Sequence, residues 1–213
     1  MGIIASSKTS SPASAAVTPQ GAPVRLLAFV DESMRRVDEH TVFYFLAAAV
    51  IPEDHCPNVR DAMRTLVASP RGVLHWRNES QPRRELITKT IRASGVESLV
   101  VVGAMADSRK QERARRRVLS QLLYTLDQRQ VAHVVLESRH AERDRHDIKA
   151  IGGFRNAGTV SRRLVVSHER PLQEPMLWVP DAVAGAAGDH RRGVPTCLEM
   201  LEGLVEMLDI GTV

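Results

Sequence analysis

Aromatic side chains are scarce: Phe, Trp and Tyr make up 4% of the 213 residues. The core must therefore be assembled from Leu, Val, Ile and Ala. Only two cysteines occur, Cys56 and Cys197, too few for a disulfide framework. With no signal-peptide pattern at the start, they point to a reducing compartment, the cytoplasm. Long apolar runs are absent. The longest, residues 42–51 (VFYFLAAAVI), is too short to span a bilayer and reads as a buried strand, so no membrane partner is expected. Three catalytic classes lack their motifs. Gly152 and Gly153 are not followed by the GK(S/T) of a phosphate-cradling loop, Ser33 stands in no nucleophile elbow, and no pair of His or Cys has zinc-ligand spacing.

Hydrophobic residues at 43% and charged residues at 25% are ordinary for a globular protein. The formal charge of +4 permits an anionic partner without requiring one. Residues 1–23 are rich in Ser, Ala, Thr and Pro, with Lys8 their only charged side chain. Such a stretch has too little apolar surface to offset its ordering entropy, which predicts a disordered N-terminal tail ahead of a single domain at 24–213.

Within that domain, residues 25–30 form a β-rich segment ended by Asp31 and Glu32. A polar loop leads to the strand at 42–51, giving a hairpin. Helices are expected at 58–67 and at 82–92, the latter capped by Ser80 and closed by Gly95, with a brief strand at 73–76 before it. The run at 98–105 reads as a strand covered on both faces. A helix at 108–129 carries the stripe Val118, Leu119, Leu122, Leu123, Leu126. A strand at 131–136 ends in Glu137. Beyond it lie a charged helix candidate from 139, a short edge strand at 164–167, a helix at 178–187 and an amphipathic helix at 195–208. Hairpin strands first, then alternating helices and strands, predict an α/β fold: a mixed sheet with helices on its faces.

Three carboxylates stand where apolar elements meet polar surroundings: Asp31 after LLAFV, Glu137 after HVVL, and Asp181 opening an apolar helix. In open α/β sheets ligands gather at the carboxyl ends of strands. Oxygen ligands converging there suit hard cations such as Mg²⁺ or Mn²⁺. Acids also follow strands simply because strands end at the surface, so spacing alone does not bring these three together. Glu32 is a fourth candidate. Strand neighbours point to opposite faces, so it can join Asp31 only if the strand has ended by then.

The runs AFVDES, LHWRNE, HVVLES and LWVPDAVAGA, in that order, together resemble the bacterial family catalogued as domain of unknown function 3800, over roughly residues 25–192. The resemblance implies a ribonuclease H-like fold and a metal-dependent nuclease. Asp31, Glu137 and Asp181 would be its catalytic and metal-holding acids, with Mg²⁺ or Mn²⁺ as cofactor. His75 falls where the family carries Lys or His, and would contact a phosphate or protonate a leaving group. The sequence departs from the family pattern at Met34, where glycine is usual, at Glu137, where aspartate is usual, and in the Val-Pro before Asp181.

The basic run 109–117 (RKQERARRR) sets Arg113, Arg116 and Arg117 near one helical face. With Arg191 and Arg192, and with Arg162 and Arg163, they form a candidate track for nucleic acid, against the alternative of a solvated helix. His133 is expected to be structural, and His146 and Asp147 are weaker candidates near Glu137. The sequence leaves three functions open: a metal-dependent nuclease, a non-catalytic nucleic-acid or protein-binding module of a mobile-element or defence system, and a small-molecule phosphohydrolase.

Overall fold

The computed structural model describes residues 24–38, 41–69, 72–105 and 111–213. The expected N-terminal tail lies outside them. Strand β1 (Leu26–Arg36) turns back into β2 (Val42–Pro52) as an antiparallel hairpin, and β3 (Glu97–Met105) pairs antiparallel with β2. Strand β4 (Val131–Glu137) lies parallel to β1, β5 (Val165–Glu169) parallel to β4, and β6 (Val205–Thr212) parallel to β3. The six-stranded mixed sheet has the order β5-β4-β1-β2-β3-β6. All strands but β2 run the same way, so the carboxyl ends of β1, β4 and β5 share one edge.

The pleat sorts the central strands into two cores. Leu27, Phe29, Phe45, Ala47 and Val135 face one side. There they meet α1 (Cys56–Arg64), α2 (Gln81–Ser94) and α5 (Trp178–His190). Ala28, Val30, Tyr44, Leu46, Val134 and Leu136 face the other side. They pack on α3 (Gln111–Gln128) and α4 (Ala141–Asn156). Strands covered on both faces account for the uninterrupted apolar runs in β2 and β3. Cys56 and Cys197 are free and buried, and no helix among the described residues is long and apolar enough to cross a membrane.

Three local expectations are corrected. First, β1 does not stop at Asp31. Its pairing with β2 continues through Glu32 opposite Leu46 to Arg36 opposite Val42, because β2 supplies backbone partners along its whole length. Second, the segment 73–76 is unpaired and passes into a 3₁₀ turn at Trp76–Asn78. The Trp76 N–H is taken by Asp181 Oδ2 at 2.8 Å rather than by a strand. Third, the helix at 195–208 is only a short α6 (Thr196–Glu199). Gly203, at φ 83°, turns the chain into β6. The spacing of Leu198, Leu201, Val205 and Leu208 fits a helix. However, Val205 and Met207 pack on one core while Leu208 and Ile210 pack on the other, as a strand closing the open edge of β3 requires.

Helix α5 is set deep against β1 and β2. A Cβ on Gly185 would lie 2.2 Å from the Trp76 indole, which explains the absence of a side chain there. Trp76 in turn donates its indole N–H to buried Asp189 at 2.9 Å. Ahead of α5, Arg60 on α1 holds Glu174 through two bonds of 2.8 Å. These contacts fix the first turn of α5, and with it Asp181.

Candidate functional site

Asp31 lies opposite Ala47, and Glu137 follows Leu136, which is paired with Val30. By strand alternation Asp31 shares the face of Phe29, and Glu137 that of Val135, the face covered by α5. Asp181, in the first turn of α5, comes down onto the same place. The structure thus brings together three of the acids singled out from the sequence, each only partly exposed.

The electrostatics record this convergence. Burial, then the facing charges of Glu137 and Asp181, push the Asp31 carboxyl well above the usual carboxylate range. Its Oδ1 accepts the Glu32 N–H at 2.7 Å, a partial relief. Burial and the Asp181 charge raise Glu137 to about 7, against a relieving hydrogen bond with Asp31. Burial also raises Asp181, opposed by the Trp76 N–H and by the positive potential of His75, Arg35 and Arg77. Among the described residues none of the three is ion-paired, so each is desolvated and repels the others.

That repulsion is measurable. Glu137 holds its proton to about pH 7 when folded, against about 4.5 for an ordinary glutamate. Its folded value is raised, so stability is full below about pH 4.5, falls as pH rises to about 7, and is level above. Discounted for solvent screening, the loss is roughly 1–2 kcal/mol. Glu137→Gln is therefore expected to melt about 3–6 °C above the parent at about pH 8 in EDTA, and level with it at about pH 4. Melting curves at the two pH values check this. A difference independent of pH contradicts the raised Glu137 value.

Glu32 points to the opposite face of β1, as the continued strand requires. Its Oε2 accepts the Tyr44 hydroxyl at 2.5 Å and Arg115 Nε at 2.6 Å. Arg115, 4% exposed, also bonds Asp147 Oδ1, and Asp147 in turn meets Arg139 Nη2 at 3.4 Å and His168 Nε2 at 3.3 Å. Glu32 nevertheless lines a cavity of about 180 Å³ together with Asp181, Ser33, Arg35, Arg77 and Gln111. Its carboxylate is engaged by Tyr44, Arg115 and Arg139 on the opposite face of β1, so the expectation that Glu32 joins the metal-holding acids is corrected. A second cavity, of about 550 Å³, opens beside Glu137 and is lined by His75, Ser138, Arg139, His140 and Arg170 among others.

Ligand atoms of Asp144, Asp147 and His168 lie within 4.8 Å of one another. The donor set is poorly suited to a cation, because Arg115 and Arg139 already neutralise Asp147, and Asp144 accepts from Ser138 Oγ at 2.7 Å. The trio offers oxygen donors only, with no ion pair among the described residues, as a hard cation prefers, but its oxygens are more widely spaced than the ligand atoms of the Asp144 cluster.

Of the arginines expected to track nucleic acid, most have protein partners. Arg191 pairs with Asp209 at 2.7 Å and lies over the Phe43 ring, and Arg192 pairs with Asp189 at 2.5 Å. Arg117 donates to the Thr212 carbonyl at 3.2 Å, and Arg116 covers the Phe154 ring. Arg113 lines a separate cavity with Arg116 and His146. Arg162 and Arg163 are exposed ahead of β5. His133 Nε2 meets Ser167 Oγ at 2.8 Å within the sheet. Arg35 and Arg77 line a cavity with Asp181 and Arg170 lines one with Glu137, and none of these was selected from the sequence.

No protein-family model matches the chain, and no curated protein does. Solved structures do. The ribonuclease H2 from Pyrococcus horikoshii OT3 is similar with a TM-score of 0.51 at 11% identity, over 85% of this chain and 81% of that one. RNase HII from Archaeoglobus fulgidus, in its PCNA complex, gives 0.44 at 16% identity over 78% and 74%. Bst-RNase HIII in complex with Mn²⁺ gives 0.40 at 12% identity over 88% and 59%. The fold is ribonuclease H-like.

Proposed function

We propose that this protein is a divalent-metal-dependent nuclease that hydrolyses phosphodiester bonds at Asp31, Glu137 and Asp181. One observation carries the reading: three desolvated, unpaired carboxylates meet at the carboxyl edge of adjacent parallel strands. An arrangement that costs folding stability calls for a cation to offset it. The ribonuclease H-like fold supports the reading only as a scaffold on which such chemistry is known.

Asp31, Glu137 and Asp181 would hold Mg²⁺ or Mn²⁺. The bound cation supplies charge neutralisation at the phosphate and a more acidic water. His75 is exposed and close enough to Asp181 for its charge to be felt there. In this reading it would give a proton to the departing oxygen. Asp189, bound to the Trp76 indole and to Arg84 at 3.2 Å, orients the segment that carries His75.

The test is cleavage of labelled DNA and RNA, single- and double-stranded, by protein freed of contaminating nuclease. Products are expected with Mn²⁺ or Mg²⁺ and not in EDTA. No cleavage of any of the four, or equal cleavage in EDTA, contradicts the proposal.

A further inference from the structure

The trio reaches into two cavities, and each holds two arginines, set against a further acid, Glu32 in the smaller and Asp144 in the larger. Asp181 lines the smaller with Arg35 and Arg77, while Glu137 lines the larger with His75, Arg139, His140 and Arg170. Most described arginines outside these cavities are spent on carboxylates, carbonyls or rings, yet Arg77 and Arg170 are exposed and their guanidinium groups make no hydrogen bond or ion pair among the described residues. Arg139, at the wall of the larger cavity, keeps a buried Nε without an acceptor. Once the acidic centre holds the cation of the nuclease reading, the guanidinium groups on its two sides complete three positive points that match three successive phosphates of a polynucleotide. A nucleoside monophosphate or a small phosphate ester has one phosphate, at the cleaved bond, and none left for Arg77 or Arg170. The larger one also carries Val73, Pro171 and Leu172, an apolar wall against which a sugar or base can rest.

We infer that the substrate is a nucleic-acid strand lying across the trio, with at least one nucleotide on each side of the cleaved bond. One flanking phosphate is held at Arg77 and the other at Arg170. This rests on the nuclease reading and narrows it, excluding a small-molecule phosphohydrolase.

The test is a length series in Mn²⁺: bis(p-nitrophenyl) phosphate, a dinucleotide, and strands extended by one nucleotide at the 5′ or the 3′ side, as DNA and as RNA. Wild-type kcat/KM should rise about tenfold or more on extension at each side. Arg77→Ala should remove the gain from one side only and Arg170→Ala the gain from the other. In parallel, fluorescence anisotropy of a labelled oligonucleotide in Ca²⁺ reads binding without turnover. Each variant should weaken binding about tenfold and lower the salt-dependence slope by about one. A flat length dependence, or variants that lose the same gain on both sides, overturns the inference while leaving metal-dependent hydrolysis standing. Should the wild type hydrolyse nothing, the nuclease reading fails by itself, and unchanged affinity and slope in both variants then overturn the two phosphate positions.

Discussion

Asp31→Asn is expected to lose phosphodiester hydrolysis by about 10³-fold or more and yet to melt at a higher temperature than the parent above neutral pH. The two effects have one cause. Asp31 is raised well above the usual carboxylate range by burial and by the charges of Glu137 and Asp181. In the empty site its ionisation therefore opposes folding, and the penalty grows as pH rises through its unfolded value. Asparagine keeps the shape and can still accept the Glu32 N–H now bound to Oδ1, but it removes the charge that a cation would need. Several kcal/mol of charge stabilisation at the reacting phosphate disappear with it, which sets the size of the rate loss. Rates with Mn²⁺ and melting curves in EDTA at about pH 8 check the pair. An Asn variant that is inactive because it is unstable contradicts this reading, and so does one that is stable and fully active.

Arg115→Ala is expected to cost about 3–5 kcal/mol of stability, or about 10 °C in Tm. Arg115 is buried between Glu32, at 2.6 Å, and Asp147, itself 4% exposed. Truncation leaves both acids in a protein interior, with only Arg139, Tyr44 and His168 nearby. Because the cost lies in the stranded charges, Arg115→Met/Asp147→Asn should recover part of it where Arg115→Met alone does not. Denaturant melts of the three variants read the coupling. A loss below about 1 kcal/mol in Arg115→Ala would mean that the network is solvated rather than structural.

Arg115 also marks where the sequence could and could not be read. The run at 109–117 is so basic that its residues read as solvent or nucleic-acid contacts. Yet Arg115 stands three and four residues before Val118 and Leu119, on the buried stripe of α3, so its inward orientation was legible from helical spacing alone. The mixed sheet was legible because each buried strand is an unbroken apolar run and the helices between them have clear stripes. The last strand was not, since β6 packs apolar residues on both cores and its spacing imitates a helix.

The acids of the site were found as types at element ends, but their meeting depends on the parallel register of β1 and β4 and on the seat of α5 over Trp76. Neither is encoded in local pattern. For the same reason Arg77 and Arg170 were missed: they are unremarkable loop residues until the fold sets them beside the trio. The continuation of β1 to Arg36 depended on the matching length of β2. It decided that Glu32 faces Arg115 rather than standing beside Asp31.

The central claim is that Asp31, Glu137 and Asp181 form a cation site, and calorimetric titration of the protein with Mn²⁺ and Mg²⁺, beside Asp31→Asn and Asp144→Asn, tests it most directly. The account predicts saturable binding that is lost in Asp31→Asn and kept in Asp144→Asn. Binding that survives in Asp31→Asn and vanishes in Asp144→Asn would move the ion to the Asp144–Asp147–His168 cluster. No binding in any of the three would leave a ribonuclease H-like fold without its metal chemistry. Either result contradicts the account.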